Sequence, residues 1–166
     1  MVNITVYRLV VQGVFLFVVS GEVSICPDCN GALSVRSWRA RMMIDGDGTK
    51  AVYQIRRLYC EQCRHLHHEL PDCMVPYKRH CAETIEKAIN GKPADAPLDD
   101  HALRRFKGWW SVVLPYFLNV LKSLSEKYKI PFNPAPAFRS VVRAVVNSGS
   151  WIFAHDICTR SESMSG

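Results

Sequence analysis

Four of the seven cysteines in this chain fall into two pairs of identical spacing, Cys26-Pro27-Asp28-Cys29 and Cys60-Glu61-Gln62-Cys63. A two-residue spacer lets two thiolates converge on one cation while the amides of the turn point toward the sulfurs. Two such turns brought together complete a tetrahedral set of four sulfurs, a donor set that suits Zn²⁺. Four protein ligands leave no open coordination position, so the expected role is one structural zinc held by Cys26, Cys29, Cys60 and Cys63. A redox dithiol is the rival reading, but that chemistry needs one pair at a helix N-terminus in a thioredoxin-like unit, and no βαβ pattern surrounds either pair. His65, His67 and His68 follow the second pair. Alternation places His65 and His67 on one face, and with four cysteines present they read as surface or outer-layer groups. Cys73, Cys81 and Cys158 read as small buried residues. No nucleophile–base–orienter set is evident. His80 and Cys81 adjoin on a helix and point apart, so no enzyme is expected.

The elements that must position the pairs are legible around them. Residues 33–44 and 51–59 are β-favouring runs separated by Asp45-Gly46-Asp47-Gly48, a hairpin turn in which glycine supplies positive φ and aspartate tolerates it. Residues 4–19, rich in Val, Ile, Phe and Tyr, read as one or two buried strands with a break at Gly13. Residues 65–70 add a short strand ended by Pro71. From Tyr77 helix formers dominate, with one helix expected over 77–90 and Gly91 just beyond its end. Pro93 and Pro97 mark a boundary, and Asp99 or Asp100 can cap the next helix. Leu103, Phe106, Trp110, Val113, Phe117, Val120 and Leu124 recur at spacings of three and four, one apolar stripe that Pro115 should kink or split near Ser111. A loop over 130–136 precedes helical spacing over 137–158, weakened at Gly149. The reading is therefore α+β. A zinc-ribbon β-hairpin module with its preceding strands (1–76) is followed by a helical region (77–158) and a disordered tail (159–166).

The 166 residues, 48% hydrophobic and 22% charged, exclude a disordered chain. The longest apolar runs, 9–19 and 109–121, are interrupted and fall short of the ~20 residues of a bilayer crossing. An odd cysteine count with paired spacing fits metal-bound thiolates in a reducing cytoplasm. The net charge of +6 is uneven, since residues 1–100 are neutral and residues 101–145 carry +7. A concentrated positive segment is the footprint expected of a partner for phosphate backbones. Arg39 and Arg41 share a face of the first hairpin strand by alternation, with Arg36 opposite. Arg56 and Arg57 lie on the second strand, and Arg104, Arg105 and Lys107 open a basic helix. Trp110 lies on the apolar stripe and reads as core, whereas Trp109 fits either the core or a base-stacking position.

Cys26-Pro27-x-Cys29, then Ile55-Arg56-Arg57-Leu58-x-Cys60-x-x-Cys63, His67, Leu70-Pro71 and Val75-Pro76-Tyr77-Lys78-Arg79 resemble an uncharacterised bacterial zinc-ribbon family of unknown function. That family is similar to the N-terminal zinc-binding segment of insertion-sequence transposases. The resemblance runs from about Cys26 to Trp110. It implies a helix-turn-helix recognition helix over 102–110, in a chain too short for a transposase catalytic domain. The leading expectation is a zinc-binding recognition module for nucleic acid, with duplex DNA the expected partner, touched by Arg39, Arg41, Arg56, Arg57, Arg104, Arg105 and Lys107. The alternative is a zinc-stabilised interaction protein whose amphipathic helix 99–128 docks a partner or a second copy of the chain.

Overall fold

The computed structural model describes residues 1–91 and 98–151. The Pro93/Pro97 linker, Cys158, the end of the expected last helix and the tail lie outside the described residues. Over the described residues the fold is α+β, with six strands and three helices: β1 Val2–Ile4, β2 Tyr7–Gln12, β3 Phe15–Ser20, β4 Leu33–Ile44, β5 Lys50–Cys60, β6 Leu66–Pro71, α1 Ala82–Ile89, α2 Asp100–Tyr128 and α3 Phe138–Asn147. They divide between two compact units, Met1–Ile85 and Glu86–Gly166.

In the first unit a curled sheet is organised around β5. One side of β5 pairs along its whole length with β4, antiparallel, through the Asp45–Gly48 turn. Its other side is shared, with parallel β3 against residues 52–54 and antiparallel β6 against residues 57–59. β1 adds to β6 in parallel and β2 to β3 in antiparallel fashion, giving the order β1-β6-β5-β3-β2 with β4 on β5. Ile55, Tyr53, Met43, Val18, Leu70 and Ile4 pack with Met74 and Cys81 on one face. Burying such side chains stabilises the unit by roughly 1.5–3 kcal/mol each.

Three expectations need correction here. Residues 4–19 are strands but mostly exposed ones: Leu9 and Val11 face solvent on the edge strand β2, Val14 does so in the turn after it, and only Ile4 and Val18 are fully buried. The helix expected over 77–90 begins at Ala82. Residues 79–81 are held as an extended strip by Ile44, whose N–H donates to the Arg79 carbonyl and whose carbonyl accepts from the Cys81 N–H, while Tyr77 sits at φ 60°. The ladder also contains a β-bulge between Val35 and Ser37. Arg36 is the extra residue, and its guanidinium stands 5.1 Å from the Tyr59 ring centre. It therefore lies on the Arg39 side, not opposite, because one inserted residue resets the alternation.

The second unit is built on α2. Asp99 caps it, its carboxylate accepting from the Ala102 N–H, and Lys129 in the left-handed region ends it. Pro115 does not split the helix, which runs through it for 29 residues. The inward face is Ala102, Phe106, Trp109, Val113 and Phe117, so the stripe is rotated from the expected one. Trp109 is buried and Trp110 half-buried, the reverse of their expected ranking. α3 opposes this face with Phe138, Val141, Val142, Val145 and Val146, and Trp151 closes the cluster 5.0 Å from Phe117. Phe117, wholly buried among Trp110, Tyr116 and Trp151, is the side chain on which this packing converges. Phe117→Ala should cost about 3 to 5 kcal/mol. Denaturant unfolding followed by tryptophan fluorescence checks this.

Candidate metal centre

Each cysteine pair forms the same local loop. After Cys29 the chain turns through Asn30 at φ 60°, and after Cys63 through Arg64 at φ 61°. The Asn30 N–H donates to the Cys26 carbonyl and the Arg64 N–H to the Cys60 carbonyl, both at 2.8 Å. The Cys26 N–H then donates to Gly31 and the Cys60 N–H to His65, at 2.9 and 3.0 Å. A left-handed residue bends each loop back, which leaves its amides free to face sulfur. The first loop ends one residue before β4 and the second begins at the end of β5. The ladder pair Leu33–Cys60 therefore sets the two loops side by side.

All four sulfurs lie within 4.8 Å of one another, with Cys26–Cys63 at 3.6 Å and Cys29–Cys60 at 3.4 Å. Such gaps are far longer than the ~2.05 Å of a disulfide. They approach the ~3.8 Å edge of a tetrahedron of sulfurs each 2.3 Å from a central zinc. Cys26 and Cys60 are fully buried. The backbone N–H of Cys63, and then the Cys29 thiol, hold the Cys60 thiol down at about 7, whereas burial pushes Cys63 up to about 12. Four thiolates this close repel one another, and a dication at their centre reverses that repulsion. The donor set thus fits a metal ion, and these four cysteines could hold one.

Gly31 makes the close approach possible. A Cβ there would fall 3.2 Å from both Cys29 Sγ and Cys60 Sγ, and 2.7 Å from Gln62 Oε1. Sequence reading missed the role of this glycine and of Glu69, whereas it had placed His65 and His67 among surface or outer-layer groups. His67 is buried with Nε2 3.3 Å from Cys26 Sγ, and it forms with Cys26, Asp28 and Cys63 a second, overlapping set of possible metal donors. His65 is exposed and its Nδ1 lies 2.6 Å from Asp28 Oδ2. Glu69, entirely buried on the same face as Cys60, takes two hydrogen bonds from Arg56 at 2.6 and 2.7 Å and one from Ser24 at 2.7 Å. The signal for His67 and Glu69 was period two, which places both opposite Leu58 and Arg56 on the cysteine side.

The basic residues separate by environment. Arg56 is committed to Glu69, and Arg41 Nη2 donates to the Val75 and Lys78 carbonyls at 2.7 and 3.0 Å. Both guanidiniums are thereby spent on the fold. Arg39, Arg104, Arg105 and Lys107 are exposed, and Arg57 is half-buried.

Residues 26–106, just under half of the chain, match a family model described as "Domain of unknown function (DUF6431)". This stretch resembles DUF6431. The DUF6431-like stretch holds both cysteine loops, the hairpin between them, β6, α1 and the first turns of α2. No curated protein and no solved structure matches the chain.

Two outcomes follow from this geometry. Gly31→Ala should weaken metal binding by at least roughly tenfold, the size of an outer-layer disturbance of a metal site, as read by competition with a chelating dye. Burial, then the charges of Arg39, Arg57 and Arg41, depress His68 to about 4 from 6.5. Between those values the unfolded chain binds more protons, so this contribution is complete above pH 6.5 and is lost as pH falls toward 4. Comparing denaturation midpoints of the natural chain and His68→Gln at pH 7 and pH 5 should show a smaller acid loss in the variant.

Proposed function

We propose that Cys26, Cys29, Cys60 and Cys63 bind one structural Zn²⁺, making the β4–β5 hairpin a zinc ribbon, and that the chain is a nucleic-acid recognition module of the bacterial cytoplasm. The observation that carries this reading is the crosswise approach of two left-handed cysteine loops at one end of a hairpin. It supports zinc because the donors are four thiols, soft ligands at tetrahedral spacing. When bound, the ion supplies cross-linking alone. In small units of this kind it contributes on the order of 10–16 kcal/mol of apparent folding free energy. No acid–base work is assigned to the site, and the module is read as a binder related to mobile-element proteins.

The nucleic-acid part is supported by charge. Arg39, Arg57, Arg104, Arg105 and Lys107 remain after Arg41 and Arg56 are committed to the fold, and none of the five has a carboxylate partner among the described residues. Arginine forks suit phosphate oxygens, and uncompensated positive charge on each unit raises the local concentration of a polyanion. A second reading is favoured by a separate observation. α2 and the segment after it expose Val112, Tyr128, Ile130 and Phe132, apolar side chains suited to a protein partner or a second copy.

The deciding experiment is binding of zinc-loaded protein to duplex DNA across a salt series. Five cationic contacts give a log–log slope of roughly −4 to −5. Cys60→Ser should lose zinc and fold together, seen by metal analysis and circular dichroism. A folded, zinc-loaded Cys60→Ser protein would remove Cys60 from the ligand set. Absence of DNA binding at low salt would transfer the weight to the apolar surface of the second unit.

A further inference from the structure

Arg56 and Arg57 are neighbours on β5, yet alternation sends them to opposite faces and only one meets an acid. On the cysteine side Arg56 neutralises Glu69. On the other side Arg57 stands directly between Ser37 on β4 and His68 on β6, its cross-strand partners in the ladder. Arg39, two residues beyond Ser37 on the same face, brings Nη1 to 3.2 Å from His68 Nε2. A guanidinium can only donate, so Nε2 accepts and the neutral ring carries its proton on Nδ1 as a further donor. Among the described residues no carboxylate pairs with Arg39 or Arg57.

One atom in this row marks what is wanting. Arg57 Nε is buried and has no hydrogen-bond partner. A buried charged donor without an acceptor is costly, and here it lies among like charges. An oxyanion beside the guanidinium would supply the countercharge. Two guanidiniums, an imidazole N–H and the Ser37 hydroxyl offer more donors than the two oxygens of a carboxylate can take, and they suit a tetrahedral group.

We propose that Arg57, Arg39, His68 and Ser37 form a seat for one phosphate group, on the sheet face opposite the cysteines. The seat deepens the nucleic-acid reading and rests on it for the natural source, a backbone phosphodiester. Its chemistry accepts inorganic phosphate equally. Because Arg56 is turned away, the seat uses one arginine of the adjacent pair and not both.

The test follows the Arg57 Nε–H resonance in ¹⁵N–¹H spectra of the zinc-loaded full chain, assigned by its loss in Arg57→Gln. Arg57→Lys, which keeps the charge, provides the assignment should Arg57→Gln fail to load zinc. Titration with inorganic phosphate at constant ionic strength should move the resonance to saturation. Arg39→Gln, a change at an exposed side chain, should weaken that binding roughly tenfold with bound zinc unchanged, as expected for losing one charge-assisted contact. A drift no different from that produced by chloride overturns the seat. Duplex DNA is the second arm. Saturation with phosphate but no binding of duplex at low salt keeps the seat and removes the nucleic-acid reading. Duplex binding that leaves Arg57 unmoved, with phosphate also silent, removes the seat and keeps that reading.

Discussion

The register of β4 against β5 is the constraint on which the first unit depends. The pair Leu33–Cys60 at the end of the ladder puts the loop before β4 beside the loop after β5 and so brings four sulfurs together. A slip of one residue would turn Cys60 to the other face and exchange Arg56 with Arg57. The bulge at Arg36 belongs to the same constraint. It lets Leu33 oppose Cys60 at one end while Arg39 opposes Ile55 further along. Ser24, two residues before Cys26, donates to Glu69 on β6, which also takes the Arg56 fork from β5. Three segments that carry or flank the cysteines are thus joined by one buried carboxylate. Its charge is tolerable there because Arg56 stays 19% exposed and completes a two-bond pair.

Much of this unit was readable from residue order. The spacing of the cysteines, the Asp-Gly turn and the strands on either side need only local chemistry, and Asp99 announces the start of α2 in the same way. What could not be read depends on partners distant in sequence. Nothing local to Arg41 says that its guanidinium will hold the carbonyls of Val75 and Lys78. Helix propensity over residues 77–81 is overruled by backbone bonds to Ile44. The left-handed Asn30 and Arg64 escaped notice because neither is glycine. The rotation of the α2 stripe from Trp110 to Trp109 follows from where α3 and Trp151 pack, information absent from the periodicity of α2 itself.

The arginines show the limit of counting charge. Arg39, Arg41, Arg56 and Arg57 look equivalent in a basic hairpin, but burial and partners divide them into two committed to the fold, Arg41 on backbone carbonyls and Arg56 on Glu69, and two that are not. Adjacent positions on one strand belong to opposite environments, so a composition-level surplus of positive charge overstates what a surface can offer a ligand.

The parallel pairings of the sheet carry a consequence for how the chain is made. Val2 meets Glu69 and Phe15 meets Val52, so β1 and β3 leave the ribosome well before the strands that complete them. In that interval β2 and β3 can close only on each other, with the other edge of β3 unpaired and Val18 uncovered. The first cysteine loop likewise waits for the second. Vectorial synthesis therefore holds open a sticky edge and a half-built thiol site together, and both close when β5 and β6 arrive. The chain's exposure to aggregation and to stray oxidation therefore lengthens with the time taken to elongate across residues 20–71.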